Sequence, residues 1–204
     1  MLNRYTRAFF TKLFTPLARL LVKLGVSPDI VTVIGTIGVC TGALAFYPRG
    51  EFLVGTLVIV AFVFSDTLDG IMARLSGRSS MWGAYLDSTL DRVADAAIFG
   101  GLVLWYAGDG RTPYMAALAL ACLILGSVVS YARARAEGLG MTANVGIAER
   151  AERLVLVLAA TGFVGLLGLP DLILGVVLAV LAAASLVTVV QRMLAVRKQA
   201  VESH

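Results

Sequence analysis

Long apolar runs alternate with short polar interruptions along the whole chain. Six runs approach the roughly 20 residues that a helix needs to cross about 30 Å of hydrocarbon. They cover 29–46, 52–73, 83–106, 113–132, 154–169 and 171–190. The fifth is the shortest, and it is expected to begin near Ile147 as an amphipathic stretch carrying Glu149, Arg150, Glu152 and Arg153. Helix-start and turn residues sit at the boundaries. Ser27-Pro28-Asp29 opens the first run. Tyr47-Pro48-Arg49-Gly50, Gly108-Asp109-Gly110 with Pro113, and Gly168-Leu169-Pro170-Asp171 separate later ones. Gly35, Gly38 and Gly42 within the first run would let helices approach closely in lipid.

Residues 1–25 follow a different pattern. Arg4, Arg7, Lys12, Arg19 and Lys23 are interleaved with Phe9, Phe10, Leu13 and Phe14. That mixture suits an amphipathic helix lying in the membrane interface and lacks the uninterrupted apolar core of a cleaved signal. The expected fold class is an all-α integral membrane protein forming a single domain over 1–204. Its parts would be an interfacial helix in 1–25, a core of six transmembrane helices over 29–190, and a cytoplasmic tail over 191–204.

Composition agrees: 59% of residues are hydrophobic and 15% charged, which excludes an ordinary soluble domain of this length. Charge placement adds orientation. With six spans, the N-terminus, the 74–82 turn, the 133–153 segment and the C-terminus share one side. Fourteen of the 17 Lys and Arg lie there, Arg49 and Arg111 lie opposite, and Arg92 falls inside the third run. Both termini are therefore expected in the cytoplasm. These basic residues flank spans and leave no basic recognition domain, which argues against nucleic acid as a partner. Cys40 and Cys122 lie in apolar runs with no disulfide or zinc spacing. The single histidine is His204, the last residue, which argues against histidine-based metal or acid–base chemistry.

The second and third runs carry the chemistry. Asp66, Asp69, Asp87 and Asp91 fall within SDTLDGIMARLSGRSSMWGAYLDSTLD, a hairpin turning near Arg78. Asp69 and Asp87 each lie nine residues from that centre, so they sit at matching depth on antiparallel helices. The i,i+3 and i,i+4 spacings within each pair put the side chains on one helix face. Converging carboxylates repel and take up protons unless a cation offsets them. Two Mg²⁺ or Mn²⁺ ions would satisfy all four through oxygen ligands and would favour a phosphate-bearing substrate. Gly70, Ala73 and Gly83 leave room beside the cluster for a nucleotide. An acidic ion pathway, as in a nonenzymatic cation transporter, and a structural network of the aspartates with Arg74 and Arg92 remain alternatives at this point.

The hairpin also reads D-x2-D-G-x2-A-R-x8-G-x3-D-x3-D, eight fixed positions over 26 residues. In this it resembles the CDP-alcohol phosphatidyltransferase family. The resemblance implies six membrane helices around a polar cavity open to the cytoplasm. It also implies that Asp66, Asp69 and Asp87 bind two metal ions per protomer, Mg²⁺ or Mn²⁺. Asp91 would share a metal and act as the base, and Gly70, Ala73 and Arg74 would lie along the CDP moiety. Asp95, one turn further, reads as a supporting polar group.

The signature does not choose the acceptor. Arg133, Arg153 and Arg192 lie on the same side as the hairpin, and guanidinium groups bind phosphate through paired hydrogen bonds. Membrane-flank topology is their other reading. Arg135 and Arg150 have nearby acidic residues, Glu137, Glu149 and Glu152, that could pair with them. The segments SPDIVTVIGT, FSDTLDGIMAR, WGAYLDSTLDR, SYARARAE and ERAERL resemble the phosphatidylinositol phosphate synthases of actinobacteria. That resemblance implies transfer of the phosphatidyl group from CDP-diacylglycerol to inositol 1-phosphate, with Arg133, Arg153 and Arg192 holding the acceptor phosphate. It further implies a homodimer in the bacterial plasma membrane. Phosphatidylglycerol phosphate synthase, with glycerol 3-phosphate as acceptor, is the alternative within the family.

Overall fold

The computed structural model describes the backbone of residues 2–77 and 80–202, and their side chains except those of 2–10 and Asp66. Arg78 at the expected hairpin centre, His204, and the side chains of Arg4, Arg7, Phe9, Phe10 and Asp66 lie outside the described residues. Among the described residues the chain forms eight α-helices and no strand. They are α1 (Leu2–Lys23), α2 (Pro28–Phe46), α3 (Phe52–Val63), α4 (Ser65–Ser76), α5 (Met81–Ala107), α6 (Pro113–Glu137), α7 (Arg150–Leu167) and α8 (Asp171–Glu202). A 3₁₀ turn, Tyr47–Arg49, joins α2 to α3.

Local chemistry accounts for most boundaries. The Ser27 hydroxyl accepts a hydrogen bond from the Ile30 N–H, and Pro28 occupies the first turn, where its missing donor costs nothing. The Ser80 hydroxyl accepts from the Gly83 N–H at 2.9 Å and starts α5. Helices α4 and α7 end on Gly77 and Gly168 at φ of 65° and 60°, a left-handed conformation that glycine adopts without a side-chain penalty. At the start of α7, Glu149 and Glu152 form a reciprocal capping box.

Three elements depart from expectation. The second run is two helices, broken at Phe64, whose ψ of −9° lies well off the helical value. The break lets Ser65 come hard against α2, where a Cβ on Gly35 would overlap the Ser65 hydroxyl. The fifth run is helical only from Arg150, and 141–149 is irregular around Ile147. The expected tail is instead helical to Glu202, as a continuation of α8.

Helix α2 packs against α3, α4 and α5; α6 bridges α5 and α8; α7 lies on α3 and α8. Their shared core holds Tyr47, Ile59, Ile98, Phe99, Leu102, Tyr106, Met115, Leu174 and Leu178. The Tyr47 hydroxyl is paired with Thr56 at 2.9 Å, so its polar end is satisfied inside that core. Helix α1 sits on α4 through a smaller cluster of Ala18, Ile71 and Met72 with Phe14, Leu21 and Val22. Large apolar side chains such as Leu57, Leu104, Ile124, Phe163, Leu172 and Val180 point outward. An apolar exterior over an apolar core is the surface that lipid requires.

Among the described residues, four segments are long and apolar enough to cross a membrane: Pro28–Arg49, Phe52–Ser76, Pro113–Glu137 and Asp171–Glu202. Helices α5 and α7 fall short of the expected six because charge interrupts them. Helix α5 carries Asp87, Asp91, Arg92 and Asp95 in its first half, and α7 opens with Arg150, Glu152 and Arg153. The chain is an all-α, multi-pass membrane protein.

Close packing of α5 on α2 rests on Gly101, where an added Cβ would stand 2.7 Å from the Ala43 carbonyl oxygen. Backbone cannot yield as a side chain does. Gly101→Ala is therefore expected to destabilise the fold by about 1–3 kcal/mol, read as a lower unfolding temperature in detergent. An unchanged unfolding temperature would contradict this contact.

Candidate active site

Two cavities lie side by side on the acidic hairpin. The first, about 270 Å³, is bounded by the start of α2 (Pro28, Asp29, Thr32), by α4 (Asp69, Gly70, Ala73, Arg74), and by Ser80, Gly83, Ala84 and Asp87 at the start of α5. An added Cβ at Gly70 would meet nothing nearer than an Arg74 guanidinium nitrogen at 3.7 Å, so this stretch of backbone faces open space. Asp69 is 7% exposed, and its Oδ2 accepts a 2.5 Å hydrogen bond from the Thr32 hydroxyl. The Pro28 carbonyl lies farther from that hydroxyl, at 3.1 Å, and the shorter contact takes its single proton. Thr32 thus fixes one oxygen of a carboxylate that borders the cavity.

The second cavity, about 530 Å³, is lined by Asp87, Ser88, Asp91 and Arg92 of α5, by Arg133 and Glu137 of α6, by Glu149, Arg150 and Arg153 at the start of α7, and by Arg192 of α8. Asp87 borders both cavities. Two of the expected carboxylates therefore face the first chamber and two the second, with one shared. The backbone of Asp66 lies in α4, one turn ahead of Asp69, and its side chain is outside the described residues.

An ion-pair network ties the second cavity together. Arg150 reaches Asp91 Oδ1 with Nη1 at 2.6 Å and Asp95 Oδ1 with Nε at 3.0 Å. Arg153 lies 3.6 Å from Asp95 Oδ2, and Arg92 lies 3.6 Å from Asp91 and 3.8 Å from Asp95. Asp95 is buried, and Arg153 is only 2% exposed. In such a network, removing one partner is far more costly than never having built the pair, because the other charge is left unpaired in a poor solvent. Gly126 makes room for Arg153, since an added Cβ there would stand 3.1 Å from its Nη2.

The predicted phosphate-binding arginines all border this cavity but differ in character. Arg192 is buried and donates to the carbonyls of Val145 and Val129 at 3.0 and 2.6 Å, leaving further guanidinium donors. Arg153 donates to the Ala148 carbonyl at 3.4 Å. Arg133 is half-exposed and pairs with Glu137 at 2.9 Å, a contact that water largely screens. Two local expectations are corrected. Glu137 takes Arg133 as its partner, and Arg150 pairs with α5 carboxylates, since Glu149 and Glu152 are occupied in the capping box. Sequence reasoning also missed Thr32. Its one signal is its place one turn after Ser27-Pro28, where α2 enters the site.

Among the described residues, no three His, Cys, Asp or Glu side chains already converge on one point. The donor set nonetheless fits a hard divalent cation: Asp69 and Asp87 offer carboxylate oxygens to one cavity, no sulfur or imidazole lines either cavity, and Asp66 and Asp91 each stand one turn away along their helices.

The chain belongs to the CDP-alcohol phosphatidyltransferase family, whose model matches residues 25–190. Within that class it is similar to the phosphatidylinositol phosphate synthase of Streptomyces avermitilis, 56% identical over 208 residues spanning 100% of this chain and 85% of that protein. It is 46% identical to the phosphatidylinositol phosphate synthase of Cutibacterium acnes over 94% of this chain and 96% of that one. Among solved structures it resembles the Mycobacterium tuberculosis phosphatidylinositol phosphate synthase with CDP-DAG bound, at TM-score 0.86 and 41% identity over 91% of this chain and 94% of that chain. The same enzyme in complex with manganese and citrate also matches at TM-score 0.86, over 90% of this chain and 88% of that one.

Thr32→Val keeps the branched shape and deletes only the donor to Asp69. Loss of a partner that orients a ligating carboxylate typically costs about 10–100-fold in metal affinity. Mn²⁺ binding followed by electron paramagnetic resonance is expected to weaken by at least about tenfold, with the unfolding temperature near wild type. Unchanged Mn²⁺ affinity would show that the Thr32 contact does not orient a metal ligand.

Proposed function

We propose that this chain transfers the phosphatidyl group of CDP-diacylglycerol to inositol 1-phosphate, giving phosphatidylinositol phosphate and CMP. The observation that carries this reading is the shared wall at Asp87. On one side lies a chamber lined by Asp69, Gly70, Ala73 and Arg74; on the other lies one lined by Arg133, Arg153 and Arg192. A nucleotide-linked donor fits the first and an anionic acceptor the second, so the two reactants meet at the carboxylates.

Asp66, Asp69, Asp87 and Asp91 would hold two Mg²⁺ or Mn²⁺ ions, which supply positive charge against the donor's pyrophosphate. Gly70 and Ala73 let the CDP moiety lie against α4, and Arg74 contributes a positive side chain beside it. Arg133, Arg153 and Arg192 bind the acceptor phosphate and aim its inositol hydroxyl at the phosphorus attached to diacylglycerol. That hydroxyl oxygen bonds to phosphorus, the phosphorus–oxygen bond to CMP breaks, and the hydroxyl proton passes to the Asp91 carboxylate.

The same reading gives the chain six membrane crossings, with α5 and α7 completing the four apolar spans. Their charged first halves line a polar cavity open to the cytoplasm. The N-terminus, the 74–82 turn, the 133–153 segment and the end of α8 carry the basic excess on one side, which supports a cytoplasmic location for both termini. Helix α1, with Leu13, Leu17 and Leu20 exposed, lies in the interface. The resemblance to the actinobacterial synthases supports a homodimer in the plasma membrane.

Competition among inositol 1-phosphate, glycerol 3-phosphate and free inositol, with the lipid product identified, tests the assignment. The expected product is phosphatidylinositol phosphate, with free inositol inactive. Preference for glycerol 3-phosphate would overturn the acceptor and keep the class.

A further inference from the structure

One short stretch of backbone holds both buried arginines of the second cavity. Arg192 donates through Nε to the Val145 carbonyl at 3.0 Å, and Arg153 donates through Nη1 to the Ala148 carbonyl at 3.4 Å. The two side chains come from different helices, α8 and α7, and residues 145–148 anchor each of them. Arg153 keeps Nε as a buried donor with no hydrogen-bond partner among the described residues. The position of this stretch therefore sets the separation and aim of two guanidinium groups that border one cavity.

Residues 141–149 are irregular, so no helical ladder fixes them. A side chain does so instead. The Thr188 hydroxyl, fully buried, donates its proton to the Ala184 carbonyl at 2.9 Å and accepts from the Ile147 and Ala148 N–H groups at 3.1 Å each. One donor and two acceptor positions are all that a hydroxyl has, so this oxygen ties α8 to the segment with nothing left over. The Thr188 methyl closes the contact. Gly146, at φ of 146°, lies against it, and a Cβ there would overlap that methyl. Ala148 is thus held twice, its N–H by Thr188 and its carbonyl by Arg153.

We infer that Thr188 is a positioning residue for the acceptor: by pinning residues 146–148 it fixes where Arg153 and Arg192 present their charge to the acceptor phosphate. This rests on the proposed reading of the site. Guanidinium groups already held in place bind a phosphate without a further ordering cost, whereas arginines on a loose segment lose affinity to that cost. The first cavity is lined by α2, α4 and α5 with Ser80, and neither Thr188 nor the 145–148 segment borders it. The effect of Thr188 is accordingly confined to the acceptor.

The full-length chain in detergent with Mn²⁺ and CDP-diacylglycerol provides the test, comparing wild type with Thr188→Val, Thr188→Ser and Gly146→Ala. Thr188→Val exchanges the hydroxyl for a methyl and leaves two N–H groups without their acceptor. It is expected to raise the KM for inositol 1-phosphate roughly tenfold, the scale of a lost hydrogen bond, with the KM for the donor lipid within about twofold of wild type. Mn²⁺ binding, read by electron paramagnetic resonance, is expected to stay at the wild-type level. Thr188→Ser restores the hydroxyl and is expected to restore the acceptor KM. Gly146→Ala disturbs the same contact from the other side and is expected to reproduce the loss confined to the acceptor; it carries the comparison if the Val variant does not fold. A wild-type acceptor KM in the folded variants, or parallel losses of acceptor, donor and Mn²⁺ binding, would overturn the inference and leave Thr188 a structural residue. Failure of the wild-type protein to use inositol 1-phosphate would instead overturn the proposed function.

Discussion

An ionised carboxylate among lipid-compatible helices persists only while opposite charge or hydrogen-bond donors replace the water it has lost. Helix α5 carries three aspartates at four-residue intervals, Asp87, Asp91 and Asp95, and α4 adds Asp66 and Asp69 across the hairpin. The arrangement of the remaining helices answers that demand. Helix α2 brings the Thr32 hydroxyl to Asp69, and α7 brings Arg150 and Arg153 to Asp91 and Asp95. Those contacts tie together elements far apart in the chain, and the cavities are what remains between them.

The innermost pair explains how a charged network also serves as scaffold. Asp95 draws Arg150 and Arg153 together at the first turn of α7. The segment before it is fastened to α8 by contacts of a different kind: the Thr188 hydroxyl accepts from the Ile147 and Ala148 N–H groups, Arg192 donates to the Val145 carbonyl, and Gln199 pairs with both backbone groups of Thr142. The turns of α8 beyond Val190 therefore have a use. They hold the irregular segment that delivers Glu149 and Arg150 to the second cavity.

Much of this was legible in the chain. The hairpin spacing carries helix period and antiparallel depth together, so the pairing of Asp69 with Asp87 followed from counting. Helix starts at Pro28, Met81 and Pro113 were legible to within two residues because their causes, Ser27, Ser80 and Pro113 itself, are local. Other features depend on distant partners. No proline or glycine marks the break at Phe64, which accompanies contact between Ser65 and the backbone of Gly35. Thr32 lies 37 residues from Asp69. For Arg150, local pattern pointed to Glu149 and Glu152, and only the fold shows them committed to the capping box while Arg150 turns to α5. The length of α8 was hidden by Arg192, Arg197 and Lys198, which look like a flank and lie on a continuing helix.

Central to the account is that carboxylates from two helices share divalent cations. Anomalous scattering from crystals soaked in Mn²⁺ with CDP-diacylglycerol tests it most directly. The account predicts two Mn²⁺ peaks between α4 and α5, each about 2.0–2.4 Å from carboxylate oxygens of Asp66, Asp69, Asp87 or Asp91. Full donor occupancy with no peak between these helices, or with Mn²⁺ bound only elsewhere, would contradict it.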